Sequence, residues 1–194
     1  YVLYLFNIMG KYSYLILGGN FMVVLGIDPG YAIVGYGAIE AFAGKYRDLG
    51  HGAIFTYPDK DFASRLEIIY DSMQEMLEKC KPDAISIEKL YFQNNQKTAI
   101  NVAQARGIVL LAAKKANVPI FEYTPLQVKT VVTGFGQAKK NQVMQMTKRL
   151  LNLKEVPKPD DTADALAIAI CHANSACAKM RLDLVKRRME SNAI

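Results

Sequence analysis

The first clear pattern is an unbroken apolar run, Met22-Val23-Val24-Leu25-Gly26-Ile27. Such a run reads as a buried strand. Ala32–Glu40 and Lys45–Thr56 read as two further strands, with glycines at the joins. Three strands in quick succession predict an antiparallel meander. The period then changes: Phe62, Leu66, Ile69, Met73, Met76 and Leu77 fall at helical spacing within Asp59–Cys80. Ala84–Glu88 is a short strand, Thr98–Ala116 a helix apolar around most of its circumference, and Val118–Tyr123 another short strand. Helices dominate from there to the end. This order predicts a mixed α/β layered fold. A helix apolar on nearly all sides is covered on more than one of them. The Thr98–Ala113 surface is therefore either part of an ordinary central helix or a subunit contact, and the pattern leaves both open.

Tyr1–Phe21 stands apart from this pattern. It is apolar and aromatic, lacks a basic leader and an A-x-A-like cleavage site, and is divided by Lys11. That makes it a poor signal peptide and a poor membrane span. Residues 1–21 are expected to be an N-terminal extension outside the native fold, with Met22 as the natural start; a membrane-facing hairpin is the alternative. The 194 residues, 51% apolar and 22% charged, suit one globular domain. It is expected over 22–177, followed by a basic tail over 178–194. Three cysteines, Cys80, Cys171 and Cys177, form no C-x-x-C pair. A disulfide framework is not expected, and a reduced, cytoplasmic setting is. Two histidines, His51 and His172, leave little for zinc sites or Ser-His and Cys-His nucleophile systems. Cys171 and His172 are adjacent on a predicted helix and point in different directions.

Charge changes the picture further. Residues 1–124 carry 12 basic and 12 acidic side chains; residues 125–194 carry 12 basic and 6 acidic ones. The whole +6 excess lies in the last third of the chain, which suits an anionic partner such as nucleic acid or is simply a solvated basic surface. Two acids end strands: Asp28, followed by Pro29-Gly30, and Glu88. Each is either a turn or surface charge, or half of a pair facing across the sheet edge where α/β sheets bind ligands. Pro159-Asp160-Asp161-Thr162-Ala163-Asp164 opens an apolar helix, with Asp160 or Asp161 as its N-cap. Asp161 and Asp164 share one face. They read as a capping box or as ligands, and Asp164 sits in an apolar surround that is costly for a lone carboxylate. Oxygen-rich clusters with few histidines favour a hard cation, Mg²⁺ or Mn²⁺. Two such ions can activate water and stabilise the leaving oxygen of a phosphodiester.

Five motifs then occur in order: G-I-D-P-G-x-x-x-x-G-Y-G at Gly26–Gly37, S-I-E-K-L-Y-F at Ser86–Phe92, Q-A-R-G at Gln104–Gly107, Y-T-P-L-Q-V-K at Tyr123–Lys129, and D-x-x-D-A-L-A-I-A at Asp161–Ala169. Together they resemble the RuvC family of bacterial Holliday-junction resolvases, of the RNase H-like superfamily. The resemblance runs from Met22 to about Cys177. It implies an RNase H-like three-layer α/β fold, a central mixed five-stranded sheet flanked by helices. It implies a homodimer that nicks four-way junction DNA symmetrically, leaving 5′-phosphate and 3′-hydroxyl ends, in concert with a RuvA- and RuvB-type branch-migration motor. The family's metal-binding acids fall on Asp28, Glu88, Asp161 and Asp164, which imply two Mg²⁺ ions, with Mn²⁺ able to substitute. Asp160 is left unassigned. Tyr91, or its neighbour Phe92, takes the position of an aromatic that stacks on a base at the junction centre. Lys129 and Lys140 take the positions of phosphate-contacting lysines, Lys140 beside the catalytic acids; Lys139, Lys148, Arg149 and Lys158 either extend the footprint or, each taken singly, are solvated surface charges. The alternatives are another RNase H-like nuclease acting on branched DNA or RNA, an actin-like phosphate-binding ATPase, for which the chain lacks a second half, and a junction-binding protein without catalysis.

Overall fold

A computed structural model describes residues 21–89 and 96–191 of the chain. Tyr91 and Phe92, expected to include the base-stacking aromatic, lie outside the described residues, as does the 1–21 extension apart from Phe21. Phe21 stacks on Phe42 with ring centroids 4.7 Å apart, so the packed body reaches one residue beyond the expected start at Met22.

The expected meander is present: β1 (Met22–Asp28), β2 (Ile33–Phe42) and β3 (Lys45–Phe55) pair antiparallel. Helix α1 (Phe62–Cys80) follows, then β4 (Ala84–Glu88), α2 (Gln96–Lys115), β5 (Ile120–Tyr123), α3 (Pro125–Thr133), α4 (Lys140–Leu150) and α5 (Asp160–Ser191). β4 and β5 join parallel to β1, giving one mixed sheet in the order β3-β2-β1-β4-β5. Helix α1 starts at Phe62 rather than Asp59 because Asp61 caps it, its carboxylate accepting the Ser64 N–H at 3.1 Å. The Asp160 and Asp161 side chains both lie in the first turn of α5 rather than at its cap. Helix α5 runs unbroken to Ser191, through residue 178, where the basic tail was expected to begin.

The alternation of the strands sorts the core into two faces. Leu25, Ile27, Ile85 and Ile87 pack with Ile69 and Met73 of α1 and Val109 and Ala112 of α2. On the other face Val24 and Ile39 pack with Val132 of α3, Val143 of α4, and Leu166 and Ile170 of α5. The sheet is thus the middle of three layers.

One close approach governs the second face. Helix α5 lies on β1 and β2, with Ala163 and Ala165–Ala169 each at most 2% exposed. A Cβ on Gly26 would stand 2.0 Å from the carbonyl oxygen of Ala165, and one on Gly35 equally close to that of Asp161. No side chain fits at either position, so the helix backbone rests directly on the sheet. Gly26→Ala is therefore expected to destabilise the protein by about 3 kcal/mol, the upper range for overpacking a core. Urea unfolding of the purified variant measures it.

Candidate active site

The alternation that buries Leu25, Ile27, Ile85 and Ile87 on the α1/α2 face sends Asp28 and Glu88 to the opposite one. The parallel register Ile27↔Ile87 makes Asp28 and Glu88 the next residues on two adjacent strands, at the same end of the sheet. The glycine contact brings α5 onto that face. Gly35, the cross-strand partner of Asp28, is the residue against which the Asp161 backbone rests. The first turn of α5 is thereby placed at Asp28. Asp161 and Asp164 follow on one face of the helix.

The charges feel one another. The Asp28 carboxyl is pushed up from 3.8 to about 8, first by burial, then by the negative charges of Asp164, Glu88 and Asp161; Lys140 opposes this. Burial and then Asp164 also raise Glu88, while Lys129 and Lys140 act to lower it. Burial raises Asp164 even though the Lys140 hydrogen bond and charge work against it. Lys140 Nζ lies 3.0 Å from Asp164 Oδ2 and 3.4 Å from Asp160 Oδ2. Desolvation acts to lower the ammonium, but Asp164 and then Asp160 outweigh it, and Lys140 ends above its ordinary value.

The structure thus gathers Asp28, Glu88, Asp161 and Asp164 with Lys140 and Lys129. Lys129 comes from α3 and Lys140 is the first residue of α4. Lys139 is exposed at the α4 N-cap, where its N–H donates to Gln142 Oε1 at 2.7 Å. Arg149 and Lys158 are exposed and Lys148 half-buried. Asp160, left unassigned in the sequence, is a partner of Lys140. Its role had no sequence signal, because it depends on α4 and α5 starting side by side. Two further interactions were also missed. Arg106 of the Q-A-R-G motif pairs with Glu122 of β5 and ties α2 to the sheet edge. Arg65 in α1 stands over the Tyr31 ring at 3.6 Å, in the segment that follows Asp28. His172 is buried, stacks on Phe121 at 4.2 Å and shares a hydrogen bond with Tyr123 at 2.8 Å; it staples α5 to β5 and takes no part in the acidic cluster.

The donor set is all oxygen, which suits a hard divalent cation. Among the described residues no three His, Cys, Asp or Glu side chains are already drawn together tightly enough to enclose one ion. The electrostatics nevertheless fit a cation: burial, and then the negative charges of Asp164, Glu88 and Asp161, which Lys140 offsets only in part, hold Asp28 protonated well into the neutral range, and a divalent charge would relieve that. The two lysines stand where they can meet an anionic substrate beside the acids.

The family model described as crossover junction endodeoxyribonuclease RuvC matches residues 24–172. The crossover junction endodeoxyribonuclease RuvC of Halothermothrix orenii is 55% identical over 154 residues, covering 79% of this chain and 93% of that protein. That of Fusobacterium nucleatum is 51% identical over 159 residues, covering 82% of this chain and 84% of the relative. Among solved structures, T. thermophilus RuvC in complex with a Holliday junction substrate aligns with a TM-score of 0.77 at 40% identity, over 80% of this chain and 94% of that one. The yeast mitochondrial Holliday junction resolvase aligns with a TM-score of 0.62 at 18% identity, over 84% of this chain and 85% of that one, a likeness of fold. The matched span takes in all four acids, both lysines and the glycines that let α5 reach the sheet, and on this ground the chain belongs to the RuvC family.

Proposed function

We propose that this chain is a Holliday-junction resolvase, a divalent-metal-dependent endonuclease acting on four-way junction DNA. The observation that carries the reading is the gathering of Asp28, Glu88, Asp161 and Asp164, from two strand ends and one helix start, around a carboxyl that burial and negative charge raise to about 8. Those four side chains would hold Mg²⁺, two ions in each site, with Mn²⁺ as a substitute. The bound metal supplies an activated water and neutralises charge on the phosphate. Lys140 is held at the site by Asp164 and Asp160, and its ammonium meets the scissile phosphate. A fixed positive charge there favours the more negative transition state. Lys129, on the Glu88 side, contacts a phosphate further along the strand. Lys139 extends the basic footprint, and Tyr91 or Phe92 stacks on a base at the junction centre.

The products are symmetric nicks with 5′-phosphate and 3′-hydroxyl ends, which requires two sites in a homodimer. The exposed side of α2 supports that assembly. Ile100 and Leu111 are 59% and 50% exposed, and with Gln104 and Gly107 they form a stripe at helical spacing. A cytoplasmic setting and a branch-migration motor of the RuvA and RuvB type belong to the same reading. So does the division of the chain into an extension over 1–21, a nuclease domain over 22–177 and a basic tail over 178–194.

Asp28→Asn is expected to abolish cleavage of a labelled synthetic four-way junction in Mg²⁺ while leaving junction binding within about twofold. Loss of binding, or cleavage at the wild-type rate, overturns the assignment. The same variant tests the electrostatics. Between 3.8 and about 8 the unfolded chain releases the Asp28 proton and the folded one keeps it. The metal-free wild type therefore loses stability as pH rises through that window. Metal-free Asp28→Asn is expected to melt several degrees above wild type at pH 8, with the gap closing at pH 4, and to lose the rise in Tm that Mg²⁺ gives wild type. Leu111→Lys is expected to shift the protein to monomer in analytical ultracentrifugation with little change in the stability of the subunit.

A further inference from the structure

The Arg65 guanidinium is buried at 8% exposure, an unusual place for a cation. Among the described residues no carboxylate pairs with it. Its charge is met by a ring, a hydroxyl and, at 3.5 Å from Nη2, the Thr56 carbonyl oxygen. Cζ lies 3.6 Å from the Tyr31 ring centroid, and Nε donates to Thr56 Oγ1 at 3.0 Å. Thr56 closes the circuit: its Oγ1 donates to the Tyr31 carbonyl at 2.6 Å and its N–H to the Ala32 carbonyl at 2.9 Å. Tyr31 also stacks on Phe62 with centroids 5.3 Å apart. Three elements, the β1–β2 connection, the end of β3 and the first turn of α1, are thus clamped on one side chain.

What they clamp is the segment that leaves Asp28. Tyr31 is the third residue after it, across Pro29-Gly30. That connection is a tight turn, in which a Cβ on Gly30 would stand 2.0 Å from the Ile33 carbonyl oxygen. Tyr31 and Ala32 are pinned by Thr56, and Asp28 by its pairing to Gly35. The Arg65 contact on the ring and the Thr56 hydrogen bonds on the backbone together fix the chain three residues beyond Asp28. A metal-binding carboxylate needs such support, because ligand geometry must be held within fractions of an ångström. A lysine cannot replace the clamp, since a planar guanidinium stacks on a ring while donating sideways and an ammonium does not.

We propose that Arg65, acting through Tyr31, is a positioning residue that fixes the Asp28 carboxylate for metal binding. The inference rests on the metal-dependent reading of the site given above. It places a determinant of cation affinity on the opposite layer of the fold from α5.

The test measures Mg²⁺ titrations of Tm alongside junction cleavage for wild type, Arg65→Lys, Tyr31→Leu, Tyr31→Phe and the double variant Arg65→Lys/Tyr31→Leu. Ile69→Val, in the core of the same helix, is the control for simple destabilisation. Arg65→Lys and Tyr31→Leu are each expected to raise the half-saturating Mg²⁺ concentration five- to tenfold in both readouts, with junction affinity in EDTA unchanged. The double variant is expected to match the singles, because both break one connection. Tyr31→Phe, which keeps the ring, is expected to behave as wild type. If Arg65→Lys and Tyr31→Leu lower Tm but leave the Mg²⁺ midpoint where Ile69→Val leaves it, the pair is structural and the inference falls. A shift in Arg65→Lys alone removes the route through the ring and overturns it as well; should Arg65→Lys fail to fold, Tyr31→Leu decides the matter. A wild-type protein whose Tm ignores Mg²⁺ overturns the metal reading itself, whereas a responsive wild type with unshifted variants overturns this inference alone.

Discussion

The contact between the backbone of α5 and the sheet sets the terms for the rest of the molecule. An α-helix ordinarily stands off a sheet by the depth of the side chains between them. Here Gly26 and Gly35 remove that spacing from one side, and the small residues Ala165 and Ala169 keep it short from the other. The carbonyl oxygens of Ala165 and Asp161 come to rest where Cβ atoms would be. That approach buries the middle of α5 almost completely. It also carries the first turn of α5 to the strand ends, where two other carboxylates already stand. The same interaction that completes the core assembles the acidic cluster.

The cluster works against the stability that this contact provides. Asp28 is buried among Asp164, Glu88 and Asp161, and its carboxyl holds its proton up to about 8. The fold tolerates this because Lys140, with 3.0 Å to Asp164, brings a positive charge into the group. That lysine is more than half exposed, so its pairing with Asp164 is softened by solvent and leaves the cluster short of positive charge. A protein that concentrates like charges at one edge and surrounds them with a packed core has a site poised for a cation. Outside the cluster, the supports are stiff. Arg106 meets Glu122 on the β5 side, His172 locks α5 to β5, and Arg65 locks the Tyr31 segment on the meander side.

Much of this was legible along the chain. The apolar run at Met22–Ile27, the change of period at Phe62 and the short strand at Ala84–Glu88 are local signals, and local sterics and burial generate them directly. The boundaries moved where a cap intervened, as at Asp61, whose side chain rather than the apolar pattern starts α1. The positions of the four acids, at two strand ends and one helix start, were legible because the elements and the motifs run in order along the chain. What the sequence left open was where these acids stand relative to one another: pairing Ile27 with Ile87 places Asp28 and Glu88 side by side, and the approach of the Asp161 backbone to Gly35 brings the start of α5 to them.

The sequence by itself determined the elements, their order and the chemical character of the site, because these depend on residue type and on spacing within one element. Tertiary structure alone decided how near the elements come. Gly26 and Gly35 read as ordinary strand glycines until α5 is laid across them. Asp160 is an acid without a partner in the sequence reading until α4 places Lys140 beside it, and Arg65 is one more helical arginine until Tyr31 closes over it. These are contacts between residues far apart in the chain, as Gly26 is from Ala165, 139 positions on. No periodicity within a segment records them, because they arise when separate faces are buried against each other and the backbone between them has no freedom left.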